Sequence, residues 1–134
     1  MTSKVEYKGG LRTNCTHLSS KAKLATDAPT DNHGQGALFS PTDLIATALA
    51  SCMLTVMGIR AEKEGISFQK INADVLKKMT SGPRLISEIV IELDITENWS
   101  PEDKEIMEYT AINCPVALSL HPDLKQKVVF NYNT

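Results

Sequence analysis

The sequence predicts an α+β fold, and three features carry that prediction. One is a stretch from Pro41 to about Glu64 that is apolar nearly all round and has helix start and stop signals at its ends. The second is a pair of strand-like segments, 68–79 and 84–95, separated by Thr80-Ser81-Gly82-Pro83. The third is the order of elements: two strands, a long helix, two strands, a helix, a short helix and a strand. That order lacks the regular strand and helix alternation of a parallel βαβ fold. At 134 residues, 42% hydrophobic and 22% charged, the chain reads as one globular domain spanning 1–134.

Residues 3–8 and 20–26 read as two short strands around a turn-rich linker containing Gly9, Gly10 and Asn14, an N-terminal hairpin. Residues 27–39, DAPTDNHGQGALF, gather Pro, Asp, Asn and Gly and read as a loop, either a connector or a lid. Its GQG is too little glycine to cradle a phosphate. Ser40 is the N-cap of the long helix, Pro41 its first residue, Asp43 the acid three residues after the cap, and Gly65 its terminator. At about 1.5 Å per residue this helix is on the order of 35 Å long, the width of a small domain.

In the arm 84–95, Ile89, Ile91, Leu93 and Ile95 share the face expected in the core, with Val90, Glu92 and Asp94 on the other. Ser100-Pro101-Glu102-Asp103 repeats the helix-start signal and opens a second helix to about Ile112, with Ile106, Met107 and Tyr109 expected on its buried side. A short helical piece after Cys114-Pro115 and a strand at 127–132 complete the order. A long helix that is apolar on every side needs more cover than two hairpins supply, since a chain this size buries only about two-thirds of its extended surface. A homodimer is therefore expected, with the central helices of two subunits packed inside sheets contributed by both chains.

Composition excludes several function classes. The net charge of −2 and the scattered lysines give no footprint for nucleic acid. The first ten residues, MTSKVEYKGG, hold no apolar segment of the secretory type, so a cytoplasmic location is expected. The uncharged run 44–59 is shorter than the roughly 18 residues a membrane span needs, so no membrane partner is expected. Cys15, Cys52 and Cys114 are odd in number, widely spaced and without a CxxC pair, which argues against a disulfide framework and a zinc site. His17, His33 and His121 have no ligand-like spacing, and nothing calls for a metal or other cofactor.

The chemistry therefore rests on thiols. Cys52 lies mid-helix between Ser51 and Met53, and its local context fits either a small buried hydrophobe or a nucleophile. Asp43 stands nine residues earlier, on the opposite helix face and roughly 13 Å away along the axis, so it cannot touch Cys52 in the same chain. Cys114, in Asn113-Cys114-Pro115, is expected at a helix N-terminus, where unpaired N–H groups and the helix dipole lower a thiol pKa; plain packing is the other reading. Arg12 follows two glycines and fits either a surface residue or a guanidinium donor to a thiolate or peroxide oxygen. Cys15, among polar turn residues, is expected to be incidental.

Taken together, the GGLR turn, DAP before a Gly-rich loop, SPTDLIATALASCMLTVMGI and NCPVALSLHPDLKQKVVFNY resemble the OsmC/Ohr family of osmotically induced and organic-hydroperoxide-resistance proteins, over nearly the whole chain and in the family's order. A helix opening in SPxxL with Cys twelve residues after the Ser, joined to a late CPV cysteine, is the specific part of the match. The resemblance implies an intertwined homodimer, its long central helices wrapped by antiparallel sheets, with active sites at the interface. It implies a thiol peroxidase in which Cys52 is peroxidatic, Cys114 resolving and Arg12 the polarising arginine. Organic hydroperoxide is then the substrate, an external dithiol the reductant, and Ile45, Leu49, Met53 and Val56 the apolar lining that receives the organic tail. One position departs from the family pattern: where family peroxidases carry a glutamate, the helix start has Thr42, with Asp43 beside it as the candidate replacement. The rival reading is a non-enzymatic dimer that binds a small apolar ligand or buffers thiol redox state.

Overall fold

The computed structural model describes residues 1–133 and forms two compact units, residues 1–45 and residues 46 onward. The first holds a three-stranded antiparallel sheet, β1 (Ser3–Gly9), β2 (Arg12–His17) and β3 (Lys23–Asp27), in that spatial order. The expected turn-rich linker thus contains a strand. Its sequence, RTNCTH, has no aliphatic alternation to announce it, and the true turn is confined to Gly9, Gly10 and Leu11, all at positive φ. One face of the sheet aligns Val5 with Cys15 and Leu24, and Tyr7 with Thr13 and Thr26. Val5, Tyr7 and Leu24 are exposed, and among the described residues of this unit no apolar side chain is buried.

The connection from β3 is a tight loop with a single 3₁₀ turn, Thr30–Asn32. Helix α1 (Pro41–Glu64) begins in the first unit and continues through the second. Its start is a reciprocal capping box: the Ser40 backbone N–H donates to Asp43 Oδ2 at 2.9 Å and the Asp43 N–H to Ser40 Oγ at 3.1 Å. Its end is a left-handed Gly65, φ +70°, with the Ile66 N–H returning to the Ala61 carbonyl at 2.9 Å. Both limits agree with the sequence reading.

In the second unit α1 is followed by β4 (Ile71–Met79), β5 (Ile86–Ile95), α2 (Pro101–Ile112), α3 (Pro115–Ser119) and β6 (Lys125–Tyr132). The sheet order is β4-β5-β6, with β4 antiparallel and β6 parallel to β5. The sheet is therefore mixed rather than wholly antiparallel. The chain from Ile95 to Lys125, carrying α2 and α3, supplies the long crossover a parallel pair requires. Ile89, Ile91, Leu93 and Ile95 are fully enclosed as expected, packed with Leu49, Met53 and Met57 of α1 and Met107 and Ala111 of α2. Tyr109, expected on the buried side of α2, is 66% exposed, while Met107 takes the core position and Ile106 is half-buried.

The buried face of α1 is Ala46, Leu49, Ala50, Met53, Met57 and Ala61. A second apolar row, Ile45, Ala48, Cys52, Val56 and Ile59, runs along the helix at three- and four-residue steps and is exposed or half-buried throughout. By length and composition α1 would also serve as a membrane span, and 33% of its most apolar window is buried against protein.

Beyond β5, Glu97 ties the segment after α1 to the sheet. Its carboxylate accepts from Ser67 Oγ at 2.8 Å and from the backbone N–H groups of Gln69 and Lys70 at 2.6 and 3.0 Å. Those donors, the Gln69 amide foremost, lower the Glu97 pKa. A depressed carboxylate pKa stabilises the fold above its unfolded value of 4.5, and that contribution is lost as pH falls through the lower folded value. Glu97→Ala is expected to cost about 1 kcal/mol in urea unfolding at pH 7, with the deficit shrinking as pH falls below 4.5.

Candidate active site

Cys52 and Cys114 are free thiols brought together from α1 and the start of α3. Cys52 lies on the second apolar row of α1 and is half-buried. Cys114 is completely enclosed and is the N-cap of α3, where its Sγ accepts from the Ala117 N–H at 3.4 Å. The sequence led us to expect a lowered Cys114 pKa; the structure reverses that direction. Burial raises it most, and both hydrogen bonding with Cys52 and the charge of a Cys52 thiolate raise it further, outweighing the amides of Ala117 and Val116. A helix of five residues carries too small a dipole to offset that desolvation. Cys114 is thus held as a thiol at neutral pH.

This arrangement predicts the order of alkylation. With iodoacetamide at pH 8, peptide mass mapping is expected to find Cys52 modified well before Cys114, and Cys114 labelling to accelerate only as pH rises above 9. Cys52→Ser removes the opposing charge and is expected to bring the Cys114 pKa back toward its ordinary value, with correspondingly earlier labelling. Equal labelling of Cys52 and Cys114 at pH 8 in the wild type contradicts this assignment.

Arg12 opens β2, and its side chain is 42% exposed. Directly across the β2–β3 ladder stands Asp27, a carboxylate only 1% exposed. Arg12 Nη2 lies 3.5 Å from Asp27 Oδ2 and 3.2 Å from Gln35 Oε1. Asp27 is in turn held: its Oδ2 accepts from the Ala37 N–H at 3.1 Å, and its own backbone N–H donates to the Phe39 carbonyl at 3.1 Å. The loop between them closes on Gly34, where a Cβ would sit 1.8 Å from the Ala28 carbonyl oxygen. Asp43, the candidate replacement for the family glutamate, is engaged by the Ser40 cap described above. Sequence reading missed Asp27 because the pairing depends on β2 being a strand; its signal was the DAP motif.

Among the other expected lining residues, Leu49 and Met53 are fully enclosed in the core, whereas Ile45 is 43% exposed and Val56 half-buried on the row that carries Cys52. A cavity of about 440 Å³ in the first unit is lined by Ala25, Ala37, Leu38, Phe39 and Asp43. A larger one, about 660 Å³, lies at the open end of the second sheet between Leu85, Ile86, Leu120 and Leu124 and has neither cysteine in its wall. Cys15 is half-buried in β2, its Sγ 3.9 Å from Thr13 Oγ1.

Comparison with known proteins gives a consistent picture. The family model for OsmC-like protein matches residues 34–128. No curated protein sequence matches the chain. A crystal structure from Psychrobacter arcticus, described as an osmotic stress induced and detoxification response protein, is 48% identical, with a TM-score of 0.92 over 97% of this chain and 95% of that one. An organic hydroperoxide resistance protein OsmC from Legionella pneumophila shares the fold at 17% identity, TM-score 0.73, over 98% and 97% of the two chains. The organic hydroperoxide resistance protein OhrB of Bacillus subtilis does so at 17% identity, TM-score 0.71, over 97% and 98%.

Proposed function

The chain belongs to the OsmC family, and from that premise we propose that it is a cysteine-based reductase of organic hydroperoxides, working as a cytoplasmic homodimer. The observation that carries this reading is the unequal thiol pair: a half-buried Cys52 beside an enclosed, protonated Cys114. Reversible two-electron oxidation needs such a pair, one sulfur open to the oxidant and one waiting behind it.

In the first step the Cys52 thiolate attacks the distal peroxide oxygen, the O–O bond breaks, and the leaving alkoxide takes up a proton to become the alcohol. Cys52 is left as a sulfenic acid. The Cys114 sulfur then displaces the sulfenic hydroxyl, which leaves as water with the Cys114 proton, and a Cys52–Cys114 disulfide forms. An external dithiol reduces it by two successive exchanges, ending as a disulfide itself. The family pattern assigns to Arg12 the guanidinium that stabilises the charge developing on the departing oxygen. Ile45 and Val56, on the row of α1 that carries Cys52, favour peroxides with an organic tail over hydrogen peroxide.

The uncovered apolar row of α1 supports the dimer. A second copy covers it better than lipid does, since Thr47, Ser51 and Thr55 interrupt the helix with hydroxyls. Adding one equivalent of tert-butyl hydroperoxide to the reduced protein is the direct test. Loss of two thiols per chain together with one equivalent of tert-butanol is the expected result; an unchanged thiol count leaves the non-enzymatic reading in its place.

A further inference from the structure

We infer that Gln126 is a positioning residue of this site: from β6 it holds α3, and so the Cys114 sulfur, in place for closing the disulfide, a role that rests on the peroxidase reading above. It acts through Ala117, not on either sulfur.

The place of Gln126 in the sheet is the first observation. Strand register sets Gln126 beside Ile89, Val128 beside Ile91, Phe130 beside Leu93 and Tyr132 beside Ile95, so these four residues of β6 share the face that meets the core. Val128, Phe130 and Tyr132 pack against the core cluster. A primary amide in that row is unfavourable unless it finds hydrogen-bond partners. Gln126 Nε2 donates to the Ala117 carbonyl of α3 at 2.9 Å.

Ala117 is the second observation. It is the buried residue of α3, and its N–H donates to Cys114 Sγ at 3.4 Å while its C=O accepts from Gln126. One residue thus links the sulfur to the sheet. A helix of five residues is too short to hold its shape by its own ladder, and its last carbonyls lack partners inside the helix. The Pro115 and Val116 carbonyls are met from nearby in the chain, by Ser119 Oγ at 2.7 Å and the Leu120 N–H at 3.2 Å. The Ala117 carbonyl is met from β6, which is itself fixed by its parallel pairing with β5.

The tether bears on one step. In resolution the S–S bond forms as the sulfenic S–O bond breaks, so the Cys114 sulfur must approach Cys52 in line with the departing hydroxyl, which leaves as water with the Cys114 proton. The first oxidation takes place at Cys52 on α1 and makes no such demand on α3.

Gln126→Met in the full-length protein tests this, since methionine is unbranched and of similar length but has no donor. The readouts are the rate of sulfenic acid formation with tert-butyl hydroperoxide, trapped by dimedone, and the rate of disulfide closure by quenched mass analysis, with thermal unfolding as a check on folding. Closure is expected to slow about 10- to 100-fold, the effect of misplacing a reacting group by about an ångström, while the first oxidation stays within about twofold. Sulfinic acid should then accumulate under excess peroxide. Closure at the wild-type rate, or equal slowing of both steps, overturns the assignment. If Gln126→Met does not fold, Gln126→Glu at pH 8, whose carboxylate cannot donate, is read by the same contrast. Diamide separates this inference from the peroxidase reading, because it joins neighbouring thiols into a disulfide and is itself reduced to the hydrazine. A wild type inert to peroxide overturns the peroxidase reading; diamide closure that is then faster in wild type than in Gln126→Met keeps Gln126 in its role, and equal diamide closure removes it.

Discussion

Cys52→Ser is expected to lower kcat/KM for organic hydroperoxides by at least about a thousandfold, as loss of a covalent nucleophile does. Cys114→Ser is expected to behave differently. It should retain the first oxidation and then stop. The difference follows from where the two sulfurs stand. A serine hydroxyl at position 52 is not ionised at neutral pH and forms no sulfenic acid, so no step remains. A serine at 114 leaves the Cys52 thiol on its half-buried row of α1 but removes the sulfur that displaces the hydroxyl from sulfenic acid. Dimedone should then trap one adduct on Cys52 in Cys114→Ser, whereas the wild type passes quickly to disulfide. Excess peroxide should drive the unresolved variant on to sulfinic acid. Cys15→Ser serves as the control and is expected to turn over normally. The assignment fails if Cys114→Ser cycles at the wild-type rate with a dithiol reductant, because a buried thiol with no part in resolution would then be packing alone.

What could be read in the sequence, and what could not, divides along the range of the interactions involved. The capping box of α1 and its Gly65 terminator are local, involving residues three to five positions apart, and both limits were legible. The alternation that buries Ile89, Ile91, Leu93 and Ile95 is also local, set by the pleat. The parallel pairing of β6 with β5 was not legible, because element order is the same whichever way the last strand runs. β2 was hidden by its composition, and with it went the register that sets Asp27 opposite Arg12. The Cys114 pKa failed for a related reason. Its local signal, a helix N-terminus, was present and correct, but desolvation by distant parts of the chain opposed it and prevailed. Tyr109 shows the same limit: helical spacing places it on a face, but neighbours decide which face is covered.

Ile59→Asp is expected to convert the proposed homodimer into monomers and to remove most hydroperoxide reduction with it. In the single chain Ile59 is 58% exposed, so an aspartate there should change the stability of a natural monomer by only about 0.5 kcal/mol. The outcome is different if the row Ile45, Ala48, Cys52, Val56 and Ile59 packs against a second copy. A two-fold contact repeats every residue of the patch, so each dimer would carry two new carboxylates, and burying an unpaired charge costs several kcal/mol. Sedimentation at micromolar concentration should show twice the chain mass for the wild type and one chain mass for Ile59→Asp. Ala48→Asp, on the same row and exposed in the single chain, should behave alike. Lys127→Asp, on an exposed position of β6, introduces a carboxylate away from the row and should remain dimeric. Loss of activity should follow the loss of the dimer, because Cys52 lies in the middle of the row and a monomer leaves its surroundings open to water. A dimeric, fully active Ile59→Asp would show instead that this face is solvated and that the thiol site is complete within one chain.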